Sequence, residues 1–221
     1  MAKRKQTASR QTIDSTEPEI LLRGGDRYTI EDSGSDSKSK VRILIAEKNV
    51  AEVVKVDKGL IKNVPDGQYI CDNLVYTVED RKHNLKITWL IELKGSDDEK
   101  QARHCIDQIM DTIGYLQDSA GYPQAEKYLK GRDLVFAAIV GAPDKTLPAL
   151  GSGDIKGLCK KLYQLSGSKP CNMSSLLFYV RLNKGVKKAA LSGTYAPYTI
   201  QCYTAAGTEL TYPDNLLDLL R

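Results

Sequence analysis

Two hydrophobic periods divide this chain. Between Val41 and Gly95 the apolar residues alternate with polar ones or run together in VRILIAEK (41–48), VAEVVKVDKGLI (50–61), YICDNLVYTVED (69–80) and LKITWLIELKG (85–95). Alternation with enrichment in Val, Ile, Tyr and Thr predicts strands. Asn49, NVPDG (63–67) and Arg81–Asn84 supply the turns, so the stretch predicts a meander with short connections. From Ser96 the period lengthens: Ala102, Cys105, Ile106, Ile109, Met110, Ile113 and Leu116 recur at spacings of three and four, the apolar stripe of an amphipathic helix. Ser96 followed by Glu99 is a capping-box pattern, with Asp97 and Asp98 at the positive end of the helix dipole.

Beyond that helix LVFAAIVGAP (134–143) is a continuous apolar run, the signature of an interior strand. A second helix is predicted over 153–166, with Ile155, Leu158, Cys159, Leu162 and Leu165 on one face and Asp154 as its cap after the flexible GSG. SLLFYVRLN (175–183) and YTIQCYTA (198–205) read as further strands, and PDNLLDLL as a terminal helical turn. DSGSDSKSK (32–40) reads as a polar loop. Residues 1–19, rich in Lys, Arg, Ser, Thr and Gln, read as a solvated basic tail. The expectation is a tail followed by a single mixed α/β domain over 20–221.

Composition narrows the setting. The 221 residues are enough for a sizeable core. Thirty-two Lys and Arg against 28 Asp and Glu leave a net charge of +4, which permits a polyanionic partner without requiring one. No apolar run approaches the roughly 18 residues that cross a bilayer, and the basic start has no apolar segment behind it, so the reading is a cytoplasmic protein with no membrane partner. The five scattered cysteines, without a CxxC pair, point to reduced thiols rather than disulfides or structural zinc.

The chemistry concentrates where the third apolar strand ends. Strand residues two apart share a face, so Glu92 and Lys94 are expected to project into one space, reachable by Asp72 from the strand before. Two carboxylates and an ammonium in a half-buried place need to pair or to bind a cation. Metal-assisted phosphodiester hydrolysis uses that trio: carboxylates hold a hard divalent cation, and a lysine orients water or offsets developing charge.

Asp72, then Glu92-Leu93-Lys94 at the end of the next apolar strand, then an amphipathic helix and a buried strand, resembles the core of the PD-(D/E)XK nuclease superfamily, which includes restriction endonucleases and Holliday junction resolvases. The resemblance covers about residues 50–141 and implies a restriction-endonuclease-like fold, a mixed central sheet flanked by helices, here carrying additional C-terminal strands and a helix over 142–221. It implies Mg2+ or Mn2+ held by Asp72, Glu92 and the Leu93 carbonyl, Lys94 as the catalytic lysine, and a helix glutamine, Gln108 preferred over Gln101. Cys71 stands where the family name has proline. The family's upstream helix glutamate has no clear counterpart, Glu47, Glu52 and Asp57 being substitutes.

The function implied is a divalent-metal-dependent nuclease, DNA favoured, acting as a junction resolvase, restriction-like or defence nuclease. The alternatives are an RNA-cleaving member of the fold and a non-catalytic module that binds nucleic acid or a partner protein. A homodimer or larger complex would match two strands to be cut. Basic clusters that could meet phosphates are Arg181, Lys184, Lys187 and Lys188, and Lys127, Lys130 and Arg132. His83 reads as a surface residue of a turn, and His104 as a helix-flank residue close to the site.

Overall fold

The computed structural model describes residues 19–31, 39–62, 64–94, 99–118, 121–141, 152–170, 173–181, 194–195, 198–199, 201–204, 209–218 and 220. In chain order the elements are β1 (Glu19–Arg23), β2 (Arg27–Glu31), β3 (Lys40–Ile45), β4 (Asn49–Lys55), β5 (Asn73–Asp80), β6 (Ile87–Lys94), α1 (Glu99–Gln117), β7 (Leu134–Gly141), α2 (Ser152–Leu165), β8 (Leu177–Arg181), β9 (Thr194–Tyr195), β10 (Tyr198–Thr199), β11 (Gln201–Thr204), β12 (Glu209–Tyr212) and α3 (Asp214–Asp218). The protein is a mixed α/β structure with a sheet-rich core.

A seven-stranded sheet in the order β1-β4-β5-β6-β7-β8-β11 organises the chain. β1, β4, β5 and β6 pair antiparallel, only β5 and β6 being joined by a short turn, whereas β6, β7, β8 and β11 run parallel. Passing from β6 to a parallel β7 requires a crossover, and α1 supplies it. The apolar runs of β6 and β7 follow from their place in the middle: Ile87–Leu93 and Leu134–Val140 are buried at every position.

The two faces are covered differently. α1 packs on β6, α2 on β7, and the helices touch each other. On the other face lies a three-stranded sheet, β12-β3-β2. The contact between layers is aromatic: Trp89, beside Phe178 of its own sheet at 5.9 Å between centroids, stacks with Tyr212 of the small sheet at 6.4 Å, and the Tyr212 hydroxyl donates to the Ile87 carbonyl at 3.0 Å. Trp89 and Glu92 are three residues apart on a strand and so face opposite ways, Trp89 toward the small sheet and Glu92 toward α1.

Several expectations change. Among the described residues the helices that flank the large sheet, α1 and α2, share one face, and the small sheet lies on the other. β3 does not join the meander. The turn Ala46–Lys48, with Lys48 left-handed at φ 66°, carries the chain from β3 in one sheet into β4 in the other, and Ala46 N–H bonds to Tyr212.

The strand predicted over 50–61 ends at Lys55, because the chain folds back through Lys58 at φ 58° and the Leu60 and Ile61 amides bond to Lys55 and Val56. Gly59 permits this fold-back: a β-carbon there would lie 2.3 Å from the Lys55 carbonyl oxygen. Asp72 sits in a bend, not in the strand, which begins at Asn73. α2 begins at Ser152, placing Asp154 in its first turn instead of at its cap. β1 and β2 were not expected, and the first of them starts at Glu19, inside the segment read as tail. The Ser96 capping box lies outside the described residues, as does residues 1–18 of the basic tail.

Candidate active site

The site forms at the carboxyl ends of β6 and β7, the end of a parallel sheet where ligands bind in α/β proteins. Glu92 is 1% exposed, buried because β6 is an interior strand with α1 above it. Its Oε1 lies 3.2 Å from Lys94 Nζ, the two-residue spacing having placed both side chains on the helix face. Lys94, at the strand's mouth, is 18% exposed.

Asp72 arrives from the other side. The pairing Asn73 with Ile91 continues by one step to set Asp72 opposite Glu92. Its main chain is held from two directions: Cys71 N–H donates to Thr112 Oγ1 at 2.8 Å on α1, and Val56 N–H donates to the Asp72 carbonyl at 2.9 Å. The carboxylate accepts the Leu93 N–H at Oδ2, 2.7 Å, between Glu92 and Lys94. N–H and C=O of one strand residue leave along the same edge, so the Leu93 carbonyl is directed to the Asp72 side as well.

Gln108 completes the set. Its Oε1 accepts from Lys94 Nζ at 3.1 Å while its Nε2 donates to the Ile70 carbonyl at 3.2 Å, tying the end of β6 to the segment carrying Asp72. Gln101 lies two turns earlier on α1, and its side chain is outside the described residues.

Electrostatics mark Glu92. Burial raises its pKa well above the ordinary carboxylate range, the nearby Asp72 charge adds to the rise, and Lys94 opposes both. Its Oε2 is buried with no hydrogen-bond donor among the described residues. An orphaned carboxylate oxygen beside a second carboxylate is a place that a hard cation would fit. Among the described residues no three His, Cys, Asp or Glu side chains converge, so a cation here would rest on two carboxylates, a peptide carbonyl and water, the sparse protein set that magnesium accepts. The thiols of Cys71 and Cys105 lie buried, and burial pushes both upward, so neither is a ready thiolate.

No family model, curated protein or solved structure matches this chain.

The upstream acids are dispersed. Glu47 lies in the β3–β4 turn at the far end of the sheet, lining a cavity of about 520 Å3 with Lys48, Arg81, Lys82 and Asp214. Glu52 is bonded to the Tyr76 hydroxyl at 2.5 Å, four residues along the chain from Asp72, and its pKa is raised by burial. Asp57, in the turn after β4, is 3.9 Å from Lys58. Its neighbour Val56 bonds Asp72, which makes Asp57 the nearest of the three along the chain.

The first basic cluster divides, Lys127 and Lys130 being exposed and Arg132 not. Arg132 is buried, donating to the Thr77 and Lys127 carbonyls at 3.0 and 2.9 Å and lying 4.8 Å over the Tyr76 ring. Lys127 sits over Tyr128 and 3.6 Å from Glu19, and Lys130 pairs with Glu126 at 2.7 Å. Arg181 ends β8 with its side chain outside the described residues, as are Lys184, Lys187 and Lys188. His83 is half-buried, its Nε2 3.0 Å from Asp214 Oδ1 at the start of α3.

Sequence reasoning missed two supports. Ser39, just before β3, donates its hydroxyl to the Lys94 carbonyl. Thr112 receives Cys71 N–H and donates to the Gln108 carbonyl at 2.7 Å. A buried polar residue on an apolar helix stripe was the available signal. Thr112→Val leaves Cys71 N–H buried without an acceptor, and the protein should lose about 1–3 kcal/mol in denaturant unfolding. Thr112→Ser should restore most of it.

No described helix is long and apolar enough to cross a membrane.

Proposed function

We propose that the protein is a divalent-metal-dependent nuclease of the PD-(D/E)XK type, with DNA the favoured substrate. The observation that carries this is the convergence of Asp72, Glu92, Lys94 and Gln108 at the end of β6, where Glu92 is buried with one oxygen unpartnered. The succession β4-β5-β6, α1 and a parallel β7 supports it, because three strands, a helix and a fourth strand are what the resemblance implies. The family's helix before the first core strand has no counterpart among the described residues, where β1, β2 and β3 precede β4.

Asp72, Glu92 and the Leu93 carbonyl would hold magnesium or manganese, which supplies a polarised phosphate and a water of lowered pKa. The chain's own residues do the rest. Burial of Glu92 puts its carboxylate in a medium where its charge acts strongly on a bound cation. Lys94, steadied between Glu92 and Gln108, presents its ammonium to the charge that grows on the phosphoryl oxygens. Gln108 prevents the lysine from turning to solvent and holds the Asp72 segment at working distance.

The test is cleavage of supercoiled plasmid, branched DNA and structured RNA with and without Mg2+ or Mn2+, by wild type and Asp72→Asn. Metal-dependent cleavage lost in the variant is the expected result. Salt-sensitive binding without cleavage would instead indicate a non-catalytic module.

A further inference from the structure

We propose that β2 is a self-association edge, along which a second copy of this chain adds its own β2 antiparallel and joins the two small sheets into one. The metal site is built from one chain's residues on the other face of the large sheet, so this interface holds or fails apart from the nuclease reading. β2 ends the order β12-β3-β2, and among the described residues no strand lies on its outer side. The turn before it fixes where its main chain points. Ile45 N–H donates to the Asp26 carbonyl at 2.9 Å beside the pair of Leu44 with Arg27, so that pair is of the kind that exchanges no hydrogen bonds. Tyr28 and Ile30 then direct N–H and C=O to β3, while Arg27, Thr29 and Glu31 direct theirs outward. Such a row is a template for another strand. Two other edges are blunted by local bonds: Asp26 takes the Arg23 N–H and C=O on β1, and Asn215 Oδ1 accepts the Thr211 N–H on β12. β2 carries no proline, and it pairs with β3 from Arg27 to Glu31 without a bulge.

The residues of the strand select the partner. RYTIE complements its own reverse: a two-fold axis through Thr29 sets Arg27 of one copy against Glu31 of the other, Tyr28 against Ile30, and Thr29 against Thr29. Arg27, Thr29 and Glu31 are the outward-bonding positions, so the pairs they form exchange main-chain bonds, up to about six across the axis. On the solvent face, where Arg27 and Glu31 are exposed and Thr29 is half-buried, two opposite-charge pairs flank a Thr–Thr contact. On the core face the half-buried Tyr28 meets Ile30, an aromatic with a β-branched residue. All three are favourable cross-strand combinations. The alternatives are worse. A parallel pairing in register puts arginine on arginine and glutamate on glutamate, and a slip of two residues leaves Glu31 opposite Thr29 with Arg27 beyond the pairing.

The experiment is sedimentation velocity of the full chain over a wide concentration range, for wild type, Arg27→Glu, Glu31→Arg and the variant carrying both, with circular dichroism to show that each is folded. Wild type should form a dimer as concentration rises. Either single reversal places like charges opposite each other twice about the axis and should weaken the dimer about tenfold or more, and the double variant should recover it. Thr29→Pro removes only an outward N–H, so it should abolish the dimer and leave the fold. Hydrogen exchange gives a second reading: the Thr29 amide should slow with concentration while the Tyr28 amide, directed to β3, does not change. A monomer at every concentration overturns the proposal. So does a dimer that none of the variants weakens, or a folded double variant no better than the single ones. A Thr29 amide already protected in a monomer overturns it as well, since another segment of the chain would then hold the edge.

Discussion

Lys94→Ala is expected to lower metal-dependent cleavage by about 10²–10³-fold, the range seen when one preorganised electrostatic donor is removed from a reacting centre. The reason lies in the two contacts that fix the ammonium, 3.2 Å to Glu92 and 3.1 Å to Gln108. Lys94→Arg should not rescue, since a planar fork cannot sit where a point charge meets two acceptors at once. The loss of stability has a pH dependence of definite sign. Breaking a buried pair normally costs about 3–5 kcal/mol because the remaining charge is stranded. Glu92 avoids part of this by taking a proton, its pKa already being raised by burial and Asp72. The variant's deficit against wild type should therefore be small near pH 5 and larger at pH 8. Single-turnover rates and melting temperatures at the two pH values check this. Cleavage within tenfold of wild type would remove Lys94 from the chemistry.

Much of this site was legible because its logic is local. Glu92 and Lys94 are two apart on a strand and α1 follows within a few residues, whereas the preference for Gln108 over Gln101 came from the resemblance and not from the helix pattern. Burial of β6 followed from its unbroken apolar run. What could not be read is set by partners distant in sequence. Nothing in VRILIAEK says that Arg42 pairs with Glu209 of β12 and not with the next strand. Arg132 looked like part of a basic surface, but two carbonyls and the face of Tyr76 take its guanidinium inside. Glu52 alternates properly for a strand and yet is claimed by Tyr76, so an acidic residue at a plausible distance in sequence proves remote from Asp72 in space. Asp72 itself escaped the strand because Thr112 and Val56 hold its main chain in a bend, and that bend is what lets its carboxylate reach the Leu93 amide.

Glu92→Gln is expected to make the protein more stable while abolishing its activity, and this separates a functional glutamate from a structural one. A buried carboxyl whose pKa is raised binds its proton more tightly in the folded state than in the unfolded one. Below the ordinary glutamate range it costs nothing; as pH rises from there through the raised folded value, the wild type loses stability that the glutamine variant keeps. The glutamine carbonyl still accepts from Lys94, and its amide can donate where Oε2 found no donor. The gain should be about 1–2 kcal/mol at pH 8, in line with relief of an incompletely compensated buried charge. For a chain of this size that is roughly 2–8 °C in melting temperature, shrinking toward zero near pH 5. Magnesium or manganese should reverse the ranking: a cation that binds only the folded wild type stabilises it by mass action, whereas Glu92→Gln should respond little. A variant less stable than wild type at pH 8 would mean that Glu92 is there to hold the sheet and helix together. A more stable one that no longer answers to the cation would mean that the fold tolerates a costly carboxylate because the chemistry requires it.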